Sequence, residues 1–152
     1  MNRQHVDMYL TLKDLLVAMA RKSAQRGSSY REFFVGCAVL AYNGRVYRIF
    51  RGVNLYPIKG ETKVCAEQSA LGAARACGFD FLVAIVVAGD AQRDGESDIS
   101  SPTLHPCGNC RRLLQSLPEV QGDTIVYTVG RGQRSPTEEH TVKEILRLHN
   151  SR

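Results

Sequence analysis

The sequence predicts an α/β fold in which a mixed central β-sheet is sandwiched by helices. Asn43-Gly44 separates two stretches of strand-like composition, which is the strongest short-range signal for a β-hairpin. The continuous apolar run Phe81–Ala88 is typical of a strand that is buried on both faces. A helical segment separates this run from a second apolar stretch at 124–129, so we expect these two strands to pair in parallel through a right-handed crossover.

The first half of the chain reads as a helix, a hairpin and a second helix. Apolar residues at helical spacing indicate an amphipathic first helix that packs on the sheet. Gly78 provides a C-terminal stop for the second helix. The predicted elements are a helix at 8–25, strands at 33–42 and 45–51, a loop at 52–63 and a helix at 64–76.

The second half alternates strands and helices around long polar connections. Its predicted strands are Phe81–Ala88 and 124–129, and its predicted helices are 107–116 and 141–148. A basic, glycine-containing connection spans 130–138, and a polar loop spans 89–105. The acidic residues of that loop are Asp90, Asp94, Glu96 and Asp98.

Composition is that of an ordinary globular protein. The 152 residues are sufficient for one domain over 1–152, with 43% hydrophobic and 23% charged residues. No apolar run reaches membrane-span length and no signal-peptide pattern opens the chain, so we expect a cytoplasmic protein that does not bind membranes. A net charge of +5 is compatible with an anionic partner, but the basic residues are scattered, which favours a mildly basic enzyme.

Two short motifs carry the most specific chemistry. They are Cys65-Ala66-Glu67 and Pro106-Cys107-Gly108-Asn109-Cys110, and each is expected to begin a helix. Cys107 and Cys110 are three residues apart, which places both sulfurs on one helix face. With Cys65 they supply three zinc ligands and leave one position open, as in catalytic rather than structural zinc sites.

These motifs resemble the zinc-dependent cytidine deaminase family, in the branch that uses three cysteines. The similarity extends to residues 30–36, 52–54 and 141–146, and so covers nearly the whole chain. It implies the same sandwiched mixed sheet, with both zinc helices on one face. It also implies a zinc-dependent hydrolase that converts a cytosine nucleoside to a uracil nucleoside and ammonia, and that assembles as a homotetramer sharing active-site residues.

The resemblance also assigns roles to individual residues. Glu67 would be the general acid and base, and the Ala66 backbone would contact the base of the substrate. Phe33 would stack on that base, and Asn54 would bind a sugar hydroxyl. The alternatives are a solvated or capping carboxylate for Glu67, core packing for Phe33 and a turn role for Asn54.

The segment Asn54-Leu55-Tyr56 departs from the usual family pattern N-x-E and is similar to the N-x-Y of blasticidin S deaminase. Tyr56 would replace a carboxylate that accepts hydrogen bonds from ribose, or would only pack the loop. An alternative function is therefore deamination of a cytosine-nucleoside antibiotic of the blasticidin S type. Gln68 also stands where many relatives carry an arginine near the thiolates, and Arg111 or Arg112 would add a donor there.

The remaining cysteines and histidines have weaker signals. Cys37 and Cys77 read as packing residues, and His105 as a loop residue that lines the cleft or competes as a ligand. No role is assigned to His5, His140 or His149. A structural zinc domain that binds RNA is a remote alternative, because no fourth ligand has convincing spacing and no basic-aromatic motif is visible.

Overall fold

The computed structural model describes residues 1–91 and 101–150. Asp94, Glu96 and Asp98 of the predicted acidic loop lie outside these residues. The helices are α1 Arg3–Ala24, α2 Ala66–Ala76, α3 Gly108–Ser116 and α4 Val142–Asn150. The strands are β1 Ser28–Ser29, β2 Gly36–Tyr42, β3 Tyr47–Val53, β4 Leu55–Tyr56, β5 Phe81–Ala88, β6 Val120–Val129 and β7 Thr137–Thr141. Within the described residues, no helix is both long and apolar enough to cross a membrane.

The central sheet has five strands in the order β3-β2-β5-β6-β7. Strands β5 and β6 pair in parallel, as predicted, and the other pairs are antiparallel, so the sheet is mixed. The predicted hairpin joins β2 to β3. In its turn, Gly44 takes a φ of +93°, and the Asn43 side chain accepts hydrogen bonds from the N–H groups of Arg45 and Val46.

Helices cover both faces of this sheet, which confirms the predicted architecture. Residues of α1, including Leu16 and Ala20, pack with Leu40 of β2 and Val86 of β5 on one face. The other face carries α2, α3 and α4 over a second apolar cluster. That cluster includes Ala70 and Leu71 of α2, Leu114 of α3, Ile145 of α4, and Val39 and Ile85 from the strands. Both helices that carry the cysteine motifs therefore lie on one face of the sheet.

Two contacts between helix and sheet depend on the lack of a side chain. A Cβ atom on Gly36 would lie 2.0 Å from the carbonyl oxygen of Ala20 in α1. A Cβ atom on Gly52 would lie 2.3 Å from the carbonyl oxygen of Ala66 and 2.5 Å from the backbone nitrogen of Ala70. Glycine at position 52 therefore allows the first turn of α2 to lie directly on β3.

Several predicted boundaries were wrong. Strand β2 begins at Gly36 rather than at residue 33, and β6 begins at Val120 rather than at 124. The loop predicted over 52–63 contains β4, which pairs with β1 in a small parallel sheet. The connection predicted over 130–138 runs into β7, whose sequence Thr-Glu-Glu-His-Thr lacks the apolar alternation of a typical strand.

Candidate metal centre and active site

The three cysteines of the two motifs lie at the starts of neighbouring helices. Cys65 is the N-cap of α2, and its backbone N–H donates to Oε1 of Gln68 at 2.9 Å. Cys107 is the N-cap of α3, and Cys110 lies in the first turn of that helix. Both helix N-termini thus direct their positive partial charge toward the sulfurs.

The spacing of the sulfurs suits a tetrahedral metal site. The sulfurs of Cys65 and Cys107 are 3.6 Å apart, and all three cysteine sulfurs lie within 4.8 Å of one another. A tetrahedral zinc ion with Zn–S bonds near 2.3 Å places its sulfur ligands about 3.8 Å apart. The predicted group Cys65, Cys107 and Cys110 can therefore hold a metal without large movement of the helices.

Hydrogen bonds among the sulfurs divide the three groups into one thiolate and two thiols. Donation from Cys110, and then from Cys65, lowers the pKa of Cys107 to about 2. The hydrogen bond that Cys65 makes to Cys107 raises the pKa of Cys65 to about 12, and the bond that Cys110 makes to Cys107 raises the pKa of Cys110. Cys107 is therefore the most acidic of the three sulfurs, and metal binding requires the remaining thiols to lose their protons.

Glu67 lies beside these sulfurs in the first turn of α2 and is only 5% exposed. Burial raises the pKa of Glu67 to about 7, and the negative charge of Cys107 acts in the same direction. Hydrogen bonds from its own backbone and from Cys110 oppose this rise. A carboxyl group with a pKa near neutrality can both accept and donate a proton at neutral pH.

Comparison with known proteins agrees with this arrangement. Residues 11–127 match the family described as the cytidine and deoxycytidylate deaminase zinc-binding region. The chain belongs to this cytidine and deoxycytidylate deaminase family. A cytidine deaminase from Halalkalibacterium halodurans is 35% identical over 117 residues, which cover 77% of this chain and 76% of the relative.

Solved structures of cytidine deaminases share the fold. The crystal structure of cytidine deaminase from Burkholderia pseudomallei has a TM-score of 0.69 at 22% identity, covering 87% of this chain and 94% of that one. Cytidine deaminase from Mycobacterium leprae has a TM-score of 0.62 at 25% identity, covering 88% of this chain and 95% of that one. The mixed sheet with its flanking helices is therefore the cytidine deaminase fold.

Asn54 and Phe33 meet each other next to the sheet. The Asn54 side chain donates to the carbonyl oxygen of Phe33 at 2.6 Å and accepts from the N–H of Val35 at 2.9 Å. It thereby supports the segment after Glu32, which has a φ of +57°. One amide N–H of Asn54 remains beyond these two bonds, and contact with a sugar hydroxyl stays a prediction.

Tyr56 is anchored within its own loop. Its hydroxyl accepts a hydrogen bond from the N–H of Gly60 at 3.1 Å, and its ring meets Tyr30 edge-on at 5.0 Å. The hydroxyl proton of Tyr56 is still available to an acceptor. Nζ of Lys63 lies 5.9 Å from the centroid of the Tyr56 ring, and its positive charge helps to lower the pKa of Cys107 and opposes the rise in the pKa of Glu67. Lys63 was missed by the sequence analysis. The signal that could have found it is Gln68, which stands where many relatives carry an arginine near the thiolates.

The remaining predicted residues differ in their burial and in their contacts. Cys37 is fully buried, in agreement with packing, whereas Cys77 is exposed at the end of α2. The prediction that Cys77 is a packing residue was therefore wrong, because α2 ends at Ala76 and Cys77 caps it in an exposed position. His105 is buried and contacts Ser101, Glu138 and His149. Arg111 donates to the carbonyl oxygen of Pro106 at 2.9 Å, which supports the start of α3.

Proposed function

We propose that this chain is a zinc-dependent hydrolase that deaminates a cytosine nucleoside to the uracil nucleoside and ammonia. The observation that carries the proposal is the convergence of three sulfurs with one buried carboxyl group at two helix N-termini. Membership of the deaminase family and the names of the relatives support it. The cluster of Cys65, Cys107 and Cys110 supports a three-cysteine ligand set, rather than one with histidine.

Zinc held by these three sulfurs would act as a Lewis acid that makes a water molecule acidic near neutral pH. Glu67 then has the principal role among the residues of the chain. It accepts a proton from the attacking water, delivers one to N3 of the cytosine ring, and assists the departure of ammonia from C4. Its burial and raised pKa support both directions of transfer.

Ammonia release provides a direct test. Protein purified without chelator should release ammonia from cytidine or deoxycytidine, and removal of the metal by a chelator should abolish the release. Addition of zinc should restore it. Failure to deaminate cytidine and deoxycytidine, in protein whose cysteine site is shown to hold zinc, would contradict the proposal.

Substrate selection is the second part of the proposal. We propose that Tyr56, standing where ordinary cytidine deaminases carry a glutamate, weakens recognition of unmodified ribose, as in a loop of the blasticidin S deaminase type. A hydrogen bond to a charged group contributes roughly 1.5–3 kcal/mol, against about 1 kcal/mol for a neutral one. Loss of the carboxylate should therefore reduce kcat/KM for cytidine by about 2–30-fold.

Steady-state kinetics on cytidine, deoxycytidine and blasticidin S test this part. We expect Tyr56→Glu to raise kcat/KM for cytidine and to lower it for a substrate with a different sugar. Tyr56→Phe is the matched control, since it keeps the ring and removes only the hydroxyl. Efficient turnover of cytidine by the natural chain, with a decrease in Tyr56→Glu, would refute the role given to Tyr56.

Assembly and location complete the proposal. We propose a homotetramer whose active sites share residues between subunits, in a cytoplasmic protein. The exposed apolar side chains of Tyr30, Leu55 and Ile58, which lie in or beside the paired strands β1 and β4, support an interface at this position.

A further inference from the structure

A second group of metal-ligating side chains lies apart from the three sulfurs. Among the described residues, it consists of His105, Glu138 and His140, whose ligand atoms all lie within 4.8 Å of one another. His105 comes from the segment before α3, and the other two come from β7. Because Glu138 and His140 are two residues apart on one strand, their side chains project from the same face of the sheet. We propose that these three residues form a second zinc site, with two imidazoles and one carboxylate as ligands.

Distances within the group suit a small divalent cation. Nε2 of His105 is 3.1 Å from Oε1 of Glu138, and Nε2 of His140 is 3.1 Å from Oε2 of Glu138. A tetrahedral zinc ion with bonds of 2.0–2.1 Å to nitrogen and oxygen places its ligands about 3.3 Å apart. The side chains are also withdrawn from solvent, with 4% of His105 and about a fifth of each of the other two exposed.

Both imidazoles have the outer contacts that are typical of metal-bound histidine. Each turns Nε2 toward Glu138 and Nδ1 toward a second partner. For His140 the partner is Oε2 of Glu144 at 3.4 Å, and for His105 it is Nε2 of His149 at 3.1 Å. Metal-bound histidines almost always hold their second nitrogen through such a bond, which fixes the tautomer and the ring orientation.

His140 in particular has a carboxylate beside each of its ring nitrogens. When Nδ1–H donates to Glu144, the lone pair of a neutral ring at Nε2 faces an oxygen of Glu138, which is also an acceptor. A proton on Nε2, or a metal cation between Nε2 and the carboxylate, removes this conflict, and the metal analysis below distinguishes the two. Ser101 and Thr103 donate to the same carboxylate of Glu138, so the carboxylate is held in place by neutral hydroxyl groups.

The second ion would join parts of the chain that are distant in sequence. It would tie the edge strand β7 to the segment that leads through Pro106 into Cys107. A ligand that binds only the folded state stabilises it, so zinc at this site is expected to raise the unfolding temperature. The site has no part in the deaminase chemistry proposed for Glu67.

Metal analysis of the full chain tests the site. After loading with zinc and removal of the unbound metal, the natural chain should hold two zinc ions per chain, and Glu138→Gln should hold one. Glu139→Gln is the matched control, because Glu139 lies on the same strand and contacts Tyr9 and Lys13 of α1 instead. Glu144→Gln should retain the site but weaken it by about 10–100-fold.

Cobalt(II) titration of the natural chain distinguishes the two sites. The cysteine site should give sulfur-to-cobalt charge-transfer absorption, and a second equivalent should add only ligand-field bands. A stoichiometry of one metal per chain, or equal metal content in Glu138→Gln and Glu139→Gln, would overturn the proposal. So would a second equivalent that adds further thiolate absorption.

Discussion

Replacement of Gly52 by alanine should disturb the first turn of α2 directly. The new Cβ would lie 2.3 Å from the carbonyl oxygen of Ala66 and 2.5 Å from the backbone nitrogen of Ala70. Ordinary contacts between heavy atoms are near 3.5 Å, so the helix and β3 must separate by roughly 1 Å. Both clashing atoms belong to the backbone, so rotation of a side chain cannot relieve the contact.

The expected loss of stability follows from this separation. Overpacking of a tight core contact typically costs about 1–3 kcal/mol, which in a chain of this size lowers the unfolding temperature by about 2–12 °C. Turnover should decrease further than stability alone explains, since Cys65 and Glu67 flank Ala66. A misplacement of about 1 Å in catalytic geometry can cost on the order of 100-fold in rate.

Thermal unfolding, zinc content and ammonia release of Gly52→Ala provide the measurements. Gly72→Ala is the matched control, because a Cβ atom on Gly72 would meet nothing within 4 Å and Gly72 lies on the exposed side of α2. That control should gain about 0.5–1 kcal/mol from improved helix propensity. Gly52→Ala with the unfolding temperature and turnover of the natural chain would refute the reasoning. Lower stability with full turnover would show that β3 moves to relieve the contact and that α2 keeps its position.

Three further outcomes are expected. Glu67→Gln should fold and retain zinc, but its turnover should fall by about 10²–10⁴-fold because an amide cannot transfer protons. Activity close to that of the natural chain would remove Glu67 from the mechanism. Cys110→Ala should lose the catalytic zinc and unfold at a lower temperature, which metal analysis and calorimetry would measure. Zinc content equal to that of the natural chain would contradict the ligand set. Light scattering at micromolar concentration should give the mass of four chains, and a monomer would be incompatible with shared active sites.

The sequence predicts those elements whose signals are local. All eight residues of Phe81–Ala88 are apolar, and the strand has the bounds that were predicted. The hairpin at Asn43-Gly44 depends on a glycine with positive φ, and so does the end of the second helix at Gly78, with a φ of +80°. The cysteine cluster was predictable for a similar reason, because the spacing of Cys107 and Cys110 places both on one helix turn and Cys65 begins the other predicted helix.

Elements that depend on contacts between distant residues escaped prediction. β1 and β4 contain two residues each and exist only because they pair with each other. In β7, Glu138 and His140 occupy positions where the alternation of a typical strand would place apolar residues. Because both are polar, the sequence pattern does not indicate a strand. The role of Asn54 in holding the backbone of Phe33 likewise follows from the folded arrangement, since the sequence shows only a family-like G-x-N pattern.

The segment His105-Pro106-Cys107 links the two clusters of ligands. His105 is held by Glu138 and His149, whereas Cys107 is held by the sulfurs of Cys65 and the α3 turn. Only Pro106 separates His105 from Cys107, and its ring restricts φ. The backbone between these two residues therefore has little conformational freedom. Loss of the contact between His105 and β7 should therefore reach Cys107 only as a small shift, which leaves its metal ligation intact. The polar cluster at the edge strand thus holds the segment that leads into Cys107 at its other end.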